Sequence, residues 1–410
     1  MRPVYAILAI LFIVSAAARA QVVPAVNGPP GLQDSGTLKY DLRYSQTAQF
    51  YATSADDTQS SAVSGELIYA NLNAARPFSL TYSGGDLWNI VGPSTGTGIF
   101  QHLFVSQGIF GRRWSLNLSD NVSYLPQAPT TGFSGIPGVG GLPGLPGQTS
   151  QPILTQNTRS VNNTVSPSFT HSLNHATSLS FSGSYGVLRF PNGDGLDTNQ
   201  WQVGPQVTRR LNALNSISGQ YSFSHFSYPD YTITMEIQSA QLGYQRTWNR
   251  RLKTSVSAGP EWIHGVNSLG IPSSMDLTVS AGATYDARFT SCTLSYFRAA
   301  SGGAGVSTQI GVHYDDVSAG LTRQLGRSLS VSATGSYIRT EGLQLPGVTN
   351  GKFGGVAATQ RLSQSIIVYA NYTAIQQSSS SALPTNAISG LSQVIGFGIG
   401  YSPREMHFKK

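Results

Sequence analysis

Residues able to do chemistry are few in this chain and lie far apart. His225 and His264 have Asp230 and Glu261 near them in sequence, and His313 precedes Asp315 and Asp316. An imidazole beside a carboxylate is the pairing that activates a serine nucleophile in hydrolases. No Gly-x-Ser-x-Gly elbow and no His-Glu-x-x-His pair accompanies them. Isolated polar residues explain these positions better than an active site, so a non-enzyme is expected. No group of His or acidic residues has metal-ligand spacing. Gly396, Gly398 and Gly400 alternate as in a strand, whereas a phosphate-cradling loop needs a Gly-x-Gly-x-x-Gly turn entering a helix. No metal and no cofactor is expected. Cys292 is the only cysteine, which excludes an internal disulfide.

The ends and the composition bound the class. Met1-Arg2-Pro3 leads into the apolar run Val4 to Val14, and Ser15 to Gln21 ends it with Ala18-Arg19-Ala20. That is the charged start, short apolar core and small-residue exit of a secretory signal peptide, with cleavage expected after Ala20. The run is too short for a membrane helix, which needs about 20 residues. Only 10% of the chain is charged, against roughly 25% in soluble domains. Few charges without an apolar helix point to strands that show one apolar face to lipid. The net charge of +7 comes from scattered residues, which is not the basic stripe of a nucleic-acid binder.

Several segments alternate apolar and small polar residues with period two, the spacing that sends successive side chains to opposite faces of a sheet. Leu252, Val256, Ala258 and Trp262 interleave with Lys253, Ser255, Ser257 and Glu261, and Leu329, Val331, Ala333 and Tyr337 with serine and threonine. A short turn recurs between such runs, as in Thr208-Arg209-Arg210-Leu211-Asn212, Gln245-Arg246-Thr247-Trp248-Asn249 and Thr322-Arg323-Gln324-Leu325-Gly326. The bulky markers Leu173, Leu211, Trp248, Phe289, Leu325 and Leu362 lie 36 to 41 residues apart, as do Leu72 and Phe110; only the step from Phe110 to Leu173 is longer, at 63. That period fits one β-hairpin with its connections. Eight turns separate nine hairpins, so eighteen strands are expected, or sixteen if the two weak early turns are misread.

Aromatic residues recur ten to fourteen positions after the markers, among them Tyr124, Tyr185, Phe223, Trp262, Tyr337 and Tyr372. Twelve residues at about 3.3 Å each, tilted roughly 40°, rise about 30 Å, close to the apolar band of a transmembrane barrel and its aromatic girdles. His171, Arg209, Arg246 and Arg323 share parity with the apolar residues two positions before their markers. Their charge is tolerable there only at headgroup level, with the stems along the wall.

Connections on the other side are longer and rich in Gly, Pro, Ser and Asn. The third, Leu125 to Thr155, is the outlier: glycine recurs every third residue from Gly135 to Gly147, and no charge occurs from Pro126 to Pro152. Its apolar residues Ile136, Val139, Leu142 and Leu145 need cover from water, and a fold into the barrel mouth as a constriction is the leading expectation. A contact with a neighbouring subunit or surface partner, and disorder, are the alternatives.

The expected organisation is a signal peptide over 1–20, a periplasmic extension over 21–36, a transmembrane antiparallel up-and-down β-barrel over 37–402 and a periplasmic tail over 403–410. From the leader through the hairpin period, the chain resembles bacterial outer-membrane β-barrel proteins of the porin type. Gly396, Ile399 and Tyr401 resemble part of the terminal-strand signal read by the barrel assembly machinery, although Val394 and the tail past Ser402 depart from it. Some barrels of similar composition are associated with exopolysaccharide export. The resemblance implies outer-membrane lipid and the assembly machinery as partners, a saccharide or polysaccharide as cargo, and a homo-oligomer as an open alternative. It also implies a third loop that bends inward, but porin constrictions are usually charged and this loop is not.

The leading functional expectation is a channel for passive transport or export of small polar solutes. Its candidate lumen charges are Arg210, Lys253, Glu261, Asp276 and Arg288, on a lining of Ser, Thr, Gln, Asn and Gly. A structural or polymer-binding barrel without an open pore is the alternative, and an outer-membrane hydrolase is a distant third.

Overall fold

The computed structural model describes residues 35–51, 57–71, 75–91, 98–125, 159–193, 195–231, 233–266, 273–302, 310–343, 347–380 and 390–409. Its strands are β1 (Ser35–Tyr51), β2 (Thr58–Asn71), β3 (Phe78–Val91), β4 (Gly98–Phe110), β5 (Trp114–Leu125), β6 (Ser160–Ser172), β7 (Thr177–Arg189), β8 (Thr198–Arg210) and β9 (Asn215–Tyr228). They continue with β10 (Ile233–Thr247), β11 (Leu252–Val266), β12 (Ser274–Ala287), β13 (Thr290–Ser301), β14 (Val312–Gln324), β15 (Leu329–Gly342), β16 (Val348–Arg361), β17 (Ile366–Ser379), β18 (Gly390–Tyr401) and the short β19 (Met406–Lys409).

Each strand from β1 to β18 pairs antiparallel with the next, and β18 returns to β1 from Leu42–Tyr401 to Tyr51–Ser392, closing an eighteen-strand barrel. Closure removes the sheet edges that would otherwise present unpaired amides. β19 lies beyond the closing strand and pairs with the start of β1, Ser35 facing Lys409 and Leu38 facing Met406.

The recurring turn has a side-chain cause. Asn212 Oδ1 accepts from the amides of Leu214 and Asn215 at 2.9 Å each, and Asn174 and Asn249 hold the amides two and three residues on in the same way. Ser363 Oγ takes that role before β17, and Gly326, at φ +95°, replaces it before β15. The marker amide closes each loop on the carbonyl four residues on, as from Trp248 to Leu252 at 3.0 Å and from Leu362 to Ile366 at 2.9 Å. An Asx turn fixes the register of the next strand without help from distant contacts.

Register separates the two faces. Leu42, Val63, Leu118, Val203, Leu242, Val256, Leu277, Leu294, Val356 and Ile399 all point outward and stay exposed. A contiguous apolar belt of that extent needs a hydrocarbon solvent. Arg209, Arg246 and Arg323 pair with Ile217, Thr254 and Val331 on this outer face beside the short turns. The Arg246 guanidinium lies 3.9 Å from the Trp248 ring centre.

The leader 1–20, nearly all of the 21–36 segment, and Ile136, Val139, Leu142 and Leu145 lie outside the described residues. Among the described residues no helix is long and apolar enough to cross a membrane.

Candidate functional site: the lumen wall and its long-loop mouth

Inward positions carry hydroxyls and amides that bond to one another across strands. Ser222 Oγ lies 2.7 Å from Ser239 Oγ, Ser257 donates to Gln241 Oε1 at 3.0 Å, and Gln241 Nε2 donates to Thr278 Oγ1 at 3.3 Å. Thr47 and Ser60 face each other at 2.6 Å across β1 and β2. Such pairs satisfy part of each group and leave lone pairs and donors for a passing solute.

The lumen charges fall into distinct places. Arg210 ends β8 opposite Ser216, near the short turns. Lys253 opens β11 between Thr247 and Thr284. Arg288 sits in the two-residue turn between β12 and β13, its guanidinium 4.9 Å from the Phe289 ring. Glu261 and Asp276 are cross-strand partners near the other end. None of these five forms a row along the wall.

A charge cluster that the sequence pattern did not single out lies on β1 and β2. Arg43 Nη2 meets Asp41 Oδ2 at 2.5 Å and Glu66 Oε2 at 2.9 Å. All three share the inward parity of Ser45 and Ser64. The closing strand makes room for it: a side chain at Gly398 would run into the Tyr44 carbonyl and the Tyr369 ring, and one at Gly396 into the Asn371 amide. Tyr369, Asn371 and Arg43 therefore lie flat on a glycine-lined stripe of wall. Ile399 and Tyr401 point outward and stay exposed.

The mouth on the long-loop side is built differently. Phe226 and Tyr228 of β9, Ile233, Met235 and Ile237 of β10, and Ile263 of β11 all point inward and form a buried apolar pad with Leu196 and Ile310. Chain from the β13–β14 connection is drawn onto it. Tyr228 Oη donates to the Gly302 carbonyl, and Gly302 packs so closely on Phe226 that a Cβ there would overlap the ring. Gly311, at φ +75°, donates to the Gly302 carbonyl at 3.1 Å and accepts from Leu343 at 3.0 Å. One sector of the mouth is thus narrowed by the ends of the 302–311 connection, resting on apolar wall.

Beside this pad the wall itself is split. The β12–β13 ladder stops at Val279–Arg298, while β11 stays paired with β12 up to Ile263–Ser274 and β13 with β14 up to Ser301–Val312. Side chains replace the missing ladder. Glu261 Oε1, from inside, accepts the Ala300 amide at 2.7 Å, and Thr278 Oγ1 donates to the Arg298 carbonyl at 3.0 Å. Asp276 Oδ1 takes the freed amide of Leu277 at 2.7 Å. Glu261 is 3% exposed, so it acts as part of the wall rather than as a group offered to solute.

The hydrolase candidates are not gathered into a constellation. His225 faces outward, 3.4 Å from Glu236 and stacked on Trp201. His264 lies 3.3 Å from Ser273 Oγ, while Glu261 points to the opposite face. His313 and Asp315 face outward and Asp316 inward. Among the described residues no group of His, Cys, Asp and Glu is placed to hold a metal.

No protein-family model matches this chain, and no curated protein sequence matches it. Solved structures do. Pseudomonas aeruginosa OccK5 (OpdH) is similar with a TM-score of 0.50 at 9% identity, over 90% of this chain and 98% of that one. Acinetobacter baumannii OccAB4 is similar with a TM-score of 0.49 at 8% identity, over 92% of this chain and all of that one. At 9% identity the likeness to OccK5 is one of fold alone, the closed antiparallel β-barrel described above, over 90% of this chain.

Proposed function

We propose that this chain is an outer-membrane channel through which small neutral polar solutes, saccharides foremost, pass down their gradient. One observation carries the reading: an eighteen-strand barrel with an apolar outside is lined inside by hydroxyl and amide pairs. Barrels of sixteen to eighteen strands leave an aqueous channel where eight-strand barrels are filled by side chains. A lining of uncharged donors and acceptors replaces part of a sugar's hydration without the field that would select an ion. Because passage is passive, export of a saccharide and its uptake use the same lumen. Reconstitution into a planar bilayer tests this. Stepwise conductance, with swelling of proteoliposomes in neutral sugars, is the expected result; a folded barrel that neither conducts nor admits sugars overturns it.

The apolar pad and the chain lying on it favour a second reading, a barrel whose mouth is closed at rest and whose loops hold a polymer. The same bilayer separates the two, since the second reading predicts silence until Gly302 and Ile310 are released from the pad.

A further inference from the structure

The outer face beside the split between β12 and β13 carries charges in alternation. Arg298 lies between Asp276, at 3.1 Å, and Asp315, at 3.6 Å; His313 lies 3.4 Å from Asp276, and Arg339 lies 3.1 Å from Glu341. These six side chains enclose a hollow of about 200 Å³. Register puts five of them on the lipid-facing parity, in cross-strand rows with one another: Arg298 opposite Asp315, Asp315 opposite Arg339, and His313 opposite Glu341. Asp276 reaches the hollow through the split in the ladder. Directly below them on the same face, in one cross-strand row, lie Tyr296, the exposed Val317 and Tyr337, and one row further down the exposed Leu294. The hollow therefore sits just above the outer aromatic girdle, at the depth where lipid headgroups lie.

We propose that this hollow binds the headgroup of a phospholipid carrying both a phosphate and a primary amine, a phosphatidylethanolamine. The proposal rests on the reading of this chain as an outer-membrane barrel. Arg298 and Arg339 keep guanidinium edges at the surface, exposed by 38% and 44%, and these suit a phosphate. Asp276, Asp315 and Glu341 border them and suit an ammonium that donates hydrogen bonds. With His313 neutral, two cations face three anions, a balance that repels a headgroup of several phosphates and matches one of internally opposed charge. The acyl chains would continue down the wall over Leu294 and Val317.

The test is a lipid competition on the whole barrel in detergent micelles, read by native mass spectrometry. Phosphatidylethanolamine should be retained at least tenfold more readily than phosphatidylcholine, whose quaternary ammonium cannot donate to a carboxylate, and than phosphatidylglycerol, which has no amine. Arg298→Gln with Arg339→Gln should abolish that preference, and Arg339→Gln alone, at a position whose side chain is 44% exposed, should weaken it severalfold. Heat-modifiable gel mobility and conductance should stay as in the parent. Equal retention of the three lipids by the parent, or an unchanged preference in the variants, overturns the site. Stronger retention of phosphatidylglycerol or of a multiply phosphorylated glycolipid overturns the assigned headgroup. Loss of conductance together with solubility free of detergent would instead sink the outer-membrane reading itself.

Discussion

Releasing the chain that lies on the mouth should widen the channel, and the size of the effect can be worked from two contacts. Ile310 is 4% exposed within the apolar pad, and truncating such a side chain to alanine costs about 2 kcal/mol at the low end of the core series. Tyr228, 1% exposed, donates to the Gly302 carbonyl, and its loss costs about 1 kcal/mol. Ile310→Ala with Tyr228→Phe should therefore shift the docked and released forms by about 3 kcal/mol, roughly a hundredfold in their ratio. Single-channel recording in a planar bilayer reads the outcome. The variant should show a larger mean conductance or frequent transitions to a larger level, and should admit larger neutral sugars. Conductance and sugar cut-off identical to the parent, in a variant with normal heat-modifiable mobility, would refute the idea that this segment narrows the path.

Three further outcomes follow from the wall. Arg43→Gln leaves Asp41 and Glu66 without the cation between them, so the reversal potential under a salt gradient should move toward cation preference; an unmoved potential would place that cluster outside the conducting path. Gly398→Val puts a side chain against the Tyr44 carbonyl, a backbone atom that cannot yield, so the folded, heat-modifiable band should be lost; normal assembly would contradict the register of the closing strand. Asp120 faces outward between Val105 and Val165, with Oδ1 shielded and without a hydrogen-bond partner among the described residues. It lies six residues above Trp114 and four below Tyr124, or roughly 15 and 10 Å along the membrane normal. A carboxylate at that depth costs about 1 to 2 kcal/mol, so Asp120→Leu should raise the unfolding free energy in lipid by that amount, read as a higher urea midpoint at unchanged slope, and a lowered midpoint would place the position on a protein contact.

Much of the barrel was legible because its cause is local. The marker spacing reports one hairpin per period, and alternation reports two faces with different solvents, so eighteen strands follow from counting. The turn residues were visible as a repeat, but the role of Asn212 and its equivalents, capping the next strand's first amides, needed the backbone. The mouth was legible only as a broken rule. Ile233, Met235 and Ile237 are apolar on the parity that is polar elsewhere, a sign that something covers them, although nothing in the residue order says that Gly302 and Ile310 do. The split between β12 and β13 left no pattern at all, because its sealing contacts, Glu261 to Ala300 above all, join residues 39 apart in sequence. The Arg43 cluster was hidden for a related reason: its partners come from two strands whose alternation is interrupted by charge.

The central claim is that hydrocarbon, and not protein or water, covers the outer face. All five tryptophans, Trp88, Trp114, Trp201, Trp248 and Trp262, serve as reporters, since the first three and Trp262 stand on outward parity near the ends of their strands and Trp248 caps a short turn. Fluorescence of the barrel should be quenched by lipids brominated close to the headgroup, less by lipids brominated near the chain ends, and little by acrylamide in water. Emission quenched freely by acrylamide and indifferent to brominated lipid would contradict the account.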